Sequence, residues 1–169
     1  MLTKIYRGFL LGLELLIEHA ATLLFILFFI AVLLQVFYRY VLSQPLTWSE
    51  EAARYLNIWA VLLAAALAVK RSEHLRVDLI DLWLARWPLR LRLGFHVLAT
   101  LLSALVVVTL LRGSYQMVLD RWSVMLTMIP LPQGVLYLAL LVSSALMLLF
   151  FAHQLAGQLL SLARGGRAP

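Results

Sequence analysis

The side chains able to do chemistry in this chain are few, and their types narrow the options before any fold is considered. The sequence has no cysteine, which excludes thiolate catalysis, iron–sulfur clusters, cysteine-ligated zinc and a disulfide scaffold. It has no HExxH, no Gly-rich phosphate loop and no Ser/His/Asp grouping on a scaffold suited to catalysis, so nothing in it reads as an enzyme. Four histidines, His19, His74, His96 and His153, could suggest haem held between facing helices, with His96 and His153 as an axial pair, and a haem-binding anchor of a redox complex is one alternative. Glu14 and Glu18 stand one helical turn apart on a face shared with Arg7. A small proton-coupled exporter would use such a carboxylate near mid-membrane, but both precede the apolar run, so they read as an ion-paired face at the membrane interface. The densest group is segment 46–59, LTWSEEAARYLNIW, where Glu50 and Arg54 are four apart, Glu51 and Arg54 three apart, and Arg39 ends the preceding run. This cluster reads either as a solvated helix start, as charges that brace one another, or as a surface that meets a partner.

Those residues must be positioned by elements that have lipid as their solvent. Of 169 residues, 64% are hydrophobic and 13% charged, and the mean hydropathy is +0.96, far from a water-soluble domain and equally far from a disordered one. The net charge of +6 lies between apolar runs rather than along a stripe, so it does not indicate nucleic acid. Four stretches approach the roughly 20 helical residues needed to cross a bilayer. The expected fold is an all-α integral membrane protein forming one membrane domain over 1–169. Its spans are expected at about 19–42, 48–71, 90–113 with continuation toward Trp122, and 134–156.

The second span decides how the charged cluster is used. Its charge-free part, Leu56 to Val69, is only about 21 Å long at 1.5 Å per residue, so the helix must start earlier and take in Glu50, Glu51 and Arg54. Pro45 ends what precedes, and Thr47-Trp48-Ser49-Glu50 is predicted to form a capping box. Ten of the 14 Lys and Arg flank the spans on one side, which predicts cytoplasmic termini. Glu14 and Glu18 interrupt the first apolar stretch, so MLTKIYRGFLLG is expected to be retained rather than cleaved. Between spans 2 and 3, residues 77–87 (VDLIDLWLARW) place Asp78 and Asp81 on a narrow polar face. That pattern predicts a short interfacial amphipathic helix, with Trp83 and Trp87 at headgroup depth and Arg86, Arg90 and Arg92 reaching lipid phosphates. His74 and Asp78, one turn apart, are expected to fix the turn into it. On span 2, Ala64 and Ala68 belong to an alanine-rich strip that permits close helix approach to a partner.

In order along the chain stand QVFYRYVL (35–42), TWSEEAARYLNIW (47–59), AAALAVKRSEHLRVDLI (64–80) and IPLP (129–132). This series resembles the small membrane subunit of tripartite ATP-independent periplasmic (TRAP) transporters, the DctQ-like family. The family pattern of an aromatic-Arg pair, W-x-E-E, a following arginine and second tryptophan, and a basic turn leading to H-x-x-V-D falls here on Tyr38, Arg39, Trp48, Glu50, Glu51, Arg54, Trp59, Arg71, His74, Val77 and Asp78. The resemblance implies a non-catalytic scaffold in a bacterial or archaeal inner membrane. It would pair with a large many-span subunit, encoded separately, that moves an organic anion delivered by a periplasmic binding protein. The resemblance implies no cofactor in this chain, with sodium bound by the large subunit. Phospholipids are the other expected partner, and nucleic acid is not.

Overall fold

The computed structural model describes residues 2–44, 46–71 and 89–163. They form four helices: α1 Leu2–Tyr40, α2 Thr47–Arg71, α3 Leu89–Arg121 and α4 Gly134–Ala163. Each contains a stretch long and apolar enough to cross a membrane, from Leu11–Tyr40 in α1 to Gly134–Leu159 in α4. Helix satisfies every backbone donor and acceptor within the segment, which lipid cannot do. The all-α membrane architecture with four spanning helices is therefore as the sequence leads one to expect. The interfacial helix predicted at 77–87 lies outside the described residues.

The turn between α1 and α2 closes through backbone rather than side-chain caps. The Val41 amide donates to the Phe37 carbonyl at 2.8 Å and the Gln44 amide to Tyr38 at 3.1 Å, around Ser43 in the left-handed region at φ 50°. The predicted capping box does not form. Thr47 is already helical, so it cannot serve as the non-helical cap that the motif requires. Instead the amide and hydroxyl of Ser49 both donate to the Leu46 carbonyl, at 3.3 and 2.7 Å, and the Glu50 carboxylate is left to Arg54.

The helices stand in a row, α1 against α2, α2 against α4 and α4 against α3. Small side chains make the close approaches: Ala21 on α1, Ala53, Ala60 and Ala66 on α2, Ser114 on α3, and Ala139, Ser143 and Ser144 on α4 are all buried, as expected where dispersion contacts drive association in lipid. At one end of the row Ile17, Ala21, Leu63, Leu67 and Phe150 bring three helices into a single cluster, with Trp59 packed on it. The least apolar span, α2, has 33% of its most apolar stretch buried, against none for α1. Its protein contacts thus make up for its weaker attraction to lipid.

The link between α3 and α4 is a compact hairpin. Met125 and Pro132 form an isolated antiparallel bridge, flanked by Leu126 amide to Leu131 carbonyl at 3.0 Å and Gln133 amide to Val124 carbonyl at 2.8 Å. Gly134 then enters α4 so close to α3 that a Cβ there would lie 2.8 Å from the Trp122 ring and 3.2 Å from both the Trp122 Cα and the Val118 carbonyl. Only glycine fits that approach.

Candidate functional site

Polar chemistry is concentrated at the two ends of α2. At its start, the two adjacent glutamates have different tasks. Glu50 faces out and pairs with Arg54 at 3.3 Å, both side chains more than 60% exposed. Glu51 turns inward, and one oxygen, Oε2, accepts from the backbone amides of Met128 and Ile129 at 3.0 and 3.1 Å. It thereby ties α2 to the α3–α4 hairpin. Beside it lies a small cavity of about 230 Å³ lined by Glu51, Arg54, Tyr55, Leu126, Gln133, Leu136 and Tyr137. The Tyr55 hydroxyl is buried here without a hydrogen-bond partner among the described residues. Trp48 is half-exposed. Arg39 is exposed and sits 5.9 Å over the Tyr40 ring, and among the described residues no ion pair joins it to Glu50 or Glu51.

At the other end of α2, Lys70 pairs with Glu14, and the Arg71 guanidinium reaches both Glu14 at 3.6 Å and Glu18 at 2.7 Å. Lys70 and Glu14 are largely buried, their side chains 17% and 20% exposed, whereas Arg71 and Glu18 remain at 44% and 40%. Lys70 also lies 6.0 Å from the Phe150 ring centre, a cation–π distance. The ion-paired face read for Glu14 and Glu18 is therefore an interhelical one. The signal lay in the register of the hairpin: Glu14 and Lys70 are nearly equidistant from the turn at 41–46, as are Glu18 and Arg71.

From this charged end an open groove of about 430 Å³ runs between α1 and α2, lined by Glu18, Ala21, Thr22, Phe25, Ala60, Val61, Ala64, Leu67 and Arg71. Ala64 and Ala68 are exposed, whereas Ala60 and Ala66 of the same helix are buried. On the far side of the row, Thr100 and Gln158 join α3 and α4 through a buried hydrogen bond at 3.2 Å. His96 and His153 are half-buried on those helices, and the His19 ring bonds the Leu15 carbonyl of its own helix at 2.7 Å. Among the described residues no three His, Asp or Glu side chains converge as a metal site would require. Of the remaining sequence-derived candidates, His74, Asp78, Trp83, Arg86 and Trp87 fall outside the described residues. Arg90 and Arg92 lie on the first turn of α3, their side chains outside what is described.

Residues 28–161 match the family described as tripartite ATP-independent periplasmic transporters, DctQ component. The chain is similar to the sialic acid TRAP transporter small permease protein SiaQ of Vibrio cholerae, 37% identical over 71 residues that make up 40% of this chain and 41% of that protein. It is also similar to the isethionate TRAP transporter permease protein DctMQ of Oleidesulfovibrio alaskensis, 31% identical over 113 residues, 66% of this chain and 17% of the relative. A shorter match, 37% over 57 residues, covers 34% of this chain and 9% of the sialic acid TRAP transporter permease protein SiaT of Haemophilus influenzae. The matched stretches span less than half the length of each of these relatives.

Proposed function

This chain belongs to the DctQ family of TRAP transporter components, and from that premise we propose that it is the small permease subunit of a sodium-coupled importer, a non-catalytic scaffold held against a large permease subunit. The observation that carries this reading is the extent of the family match, which runs from the middle of α1 through α4. The chain is a multi-pass inner-membrane protein, and its geometry supports a static role. The four helices are continuous over the described residues, and the interhelical charge pairs of α2 lie at its Lys70–Arg71 end rather than at its centre. A site for substrate or ion in a secondary transporter is typically built from interrupted helices at the midplane. In this reading such sites belong to the large subunit, which receives an organic anion from a periplasmic binding protein. The relatives' names, sialic acid and isethionate permeases, make carboxylates and sulfonates the solutes to try first.

The test is affinity purification of the tagged chain from its native membrane in mild detergent, with sodium-dependent uptake of a carboxylate and sulfonate panel measured in cells with and without the gene. A many-span partner should co-purify, uptake of one solute should be lost without the gene, and the purified chain alone should move none of them in liposomes. Recovery of the chain by itself, together with transport by it alone, would overturn the proposal. The orientation with cytoplasmic termini is tested by reporter fusions. A fusion after Lys70 should report cytoplasm and one after Asp120 periplasm, and the opposite signals would reverse the topology.

A further inference from the structure

We infer that the groove between α1 and α2 is a binding site for one phospholipid of the leaflet at the Glu18–Arg71 end, selective for a zwitterionic headgroup bearing a primary ammonium, phosphatidylethanolamine. The inference is independent of the transporter reading. Three observations point to it. The first is length. The groove extends along α2 from Arg71 to Ala60, about 16 Å at 1.5 Å per residue, close to half of a hydrocarbon core of about 30 Å. It ends near the middle of α2 where Phe25 and Val61, each more than half exposed, stand at its rim. A transmembrane helix laid on this face would need a channel that continues across both leaflets, whereas an acyl chain needs only one.

The second observation is the lining. Ala21, Thr22, Ala60, Ala64 and Leu67 make a narrow apolar trough. Its one hydroxyl, Thr22 Oγ1, is already donated to the Glu18 carbonyl at 2.7 Å, so the trough offers an acyl chain no unsatisfied donor. The third is the charge at the mouth. Glu14, Glu18, Lys70 and Arg71 sum to zero, and the Glu14–Lys70 half of the set is the more buried, leaving one carboxylate and one guanidinium half-exposed beside the groove. Arg71 engages Glu14 through Nε and Glu18 through Nη2, and the guanidinium, half-exposed and carrying five N–H donors in a planar fork, has donors beyond those two that can meet a phosphate oxygen. Glu18 supplies the complementary acceptor for an ammonium N–H. A choline headgroup has no N–H to give it, and a glycerol headgroup brings a net negative charge toward Glu18 without a cation to offset it.

The experiment is native mass spectrometry of the full chain, purified in detergent and incubated with an equimolar mixture of phosphatidylethanolamine, phosphatidylcholine and phosphatidylglycerol sharing the same acyl chains. The wild type should retain phosphatidylethanolamine several-fold over the other two. Glu18→Gln should bring it down to the phosphatidylcholine level, because the ammonium loses its charged acceptor. Ala64→Phe, which fills the trough without touching a charge, should shed the lipid while helical circular dichroism is unchanged. Thr22→Leu on the opposite wall replaces it if Ala64→Phe does not fold. Equal retention of all three lipids by the wild type would overturn the inference, as would undiminished phosphatidylethanolamine in the filled-groove variant. If that variant instead loses a co-purifying protein subunit while keeping the lipid, the groove seats a protein helix and the inference fails.

Discussion

Glu50 and Glu51 are adjacent and of one type, yet removing them should have very different effects. The Glu50–Arg54 pair is exposed on both sides, and ion pairs of that kind contribute about 0.3–0.5 kcal/mol. Glu51 accepts two backbone amides on one oxygen, and the Ile129 bond is partly buried. A hydrogen bond to a charged acceptor contributes about 1.5–3 kcal/mol net, at the low end when exposed. Glu51→Ala should therefore release the hairpin at a cost of about 2–3 kcal/mol. Glu51→Gln can place its amide oxygen where Oε2 now sits, keeping both bonds but losing their charge assistance, for a cost of about 1 kcal/mol. The assay is hydrogen exchange at the Met128 and Ile129 amides in detergent-solubilised protein. At 1.4 kcal/mol per tenfold, the alanine variant should speed exchange by up to roughly a hundredfold, the glutamine variant by about fivefold, and Glu50→Ala by less than about twofold. Equal acceleration by alanine and glutamine at position 51, or an effect at position 50 as large, would refute the assignment of the clamp to the Glu51 oxygen.

Three other perturbations follow from the packing. Gly134→Ala puts a methyl group against the Trp122 ring and two backbone atoms, so thermal unfolding in detergent should show a loss of about 1–3 kcal/mol; trimming Trp122 to Ala should restore only part, because the backbone contacts remain. Thr100→Val removes the buried α3–α4 hydrogen bond to Gln158, and bonds of this kind in membrane proteins average about 0.6 kcal/mol, so a melt lowered by that amount is expected, with Thr100→Ser close to wild type. Lys70→Met strands the largely buried Glu14 with only the longer Arg71 contact; it should be destabilising by about 2–3 kcal/mol, and adding Glu14→Leu should recover most of that, since an apolar pair can replace a buried ionic one. A double variant no better than the single one would show that Glu14 tolerates the loss of Lys70.

The elements were legible because lipid imposes a length and a composition on each helix, and the start of α2 before Glu50 followed from arithmetic on its short apolar core. The side-chain partners were less so. The Glu14–Lys70 and Glu18–Arg71 pairs join helices that follow one another, and could be read from distances to the shared turn. The Glu51 clamp joins α2 to a hairpin 77 residues away, and it depends on α4 rather than α3 lying next to α2, an order that no local pattern encodes. The capping box failed for a narrower reason. The motif assigns Thr47 a non-helical cap position, and the Ser49-to-Leu46 bonds start the helix one residue too early for it.

That helix order also explains why the charges sit where they do. In a row each helix has at most two neighbours, so its tilt is held only along a line of contact and is resisted poorly by apolar packing in lipid, where side chains gain little by leaving the bilayer. Fixing the two ends of a helix removes that freedom far better than adding contact at its middle. α2 is tied at both ends, to α1 through Glu14 and Glu18 and to the α3–α4 hairpin through Glu51. Those ties lie near the interfaces, where a charged group costs less than at the bilayer centre. A subunit proposed to stay fixed while its partner moves requires such stiffness, and charge placement on α2 supplies it without a single ionisable group in the central stretch from Leu56 to Val69.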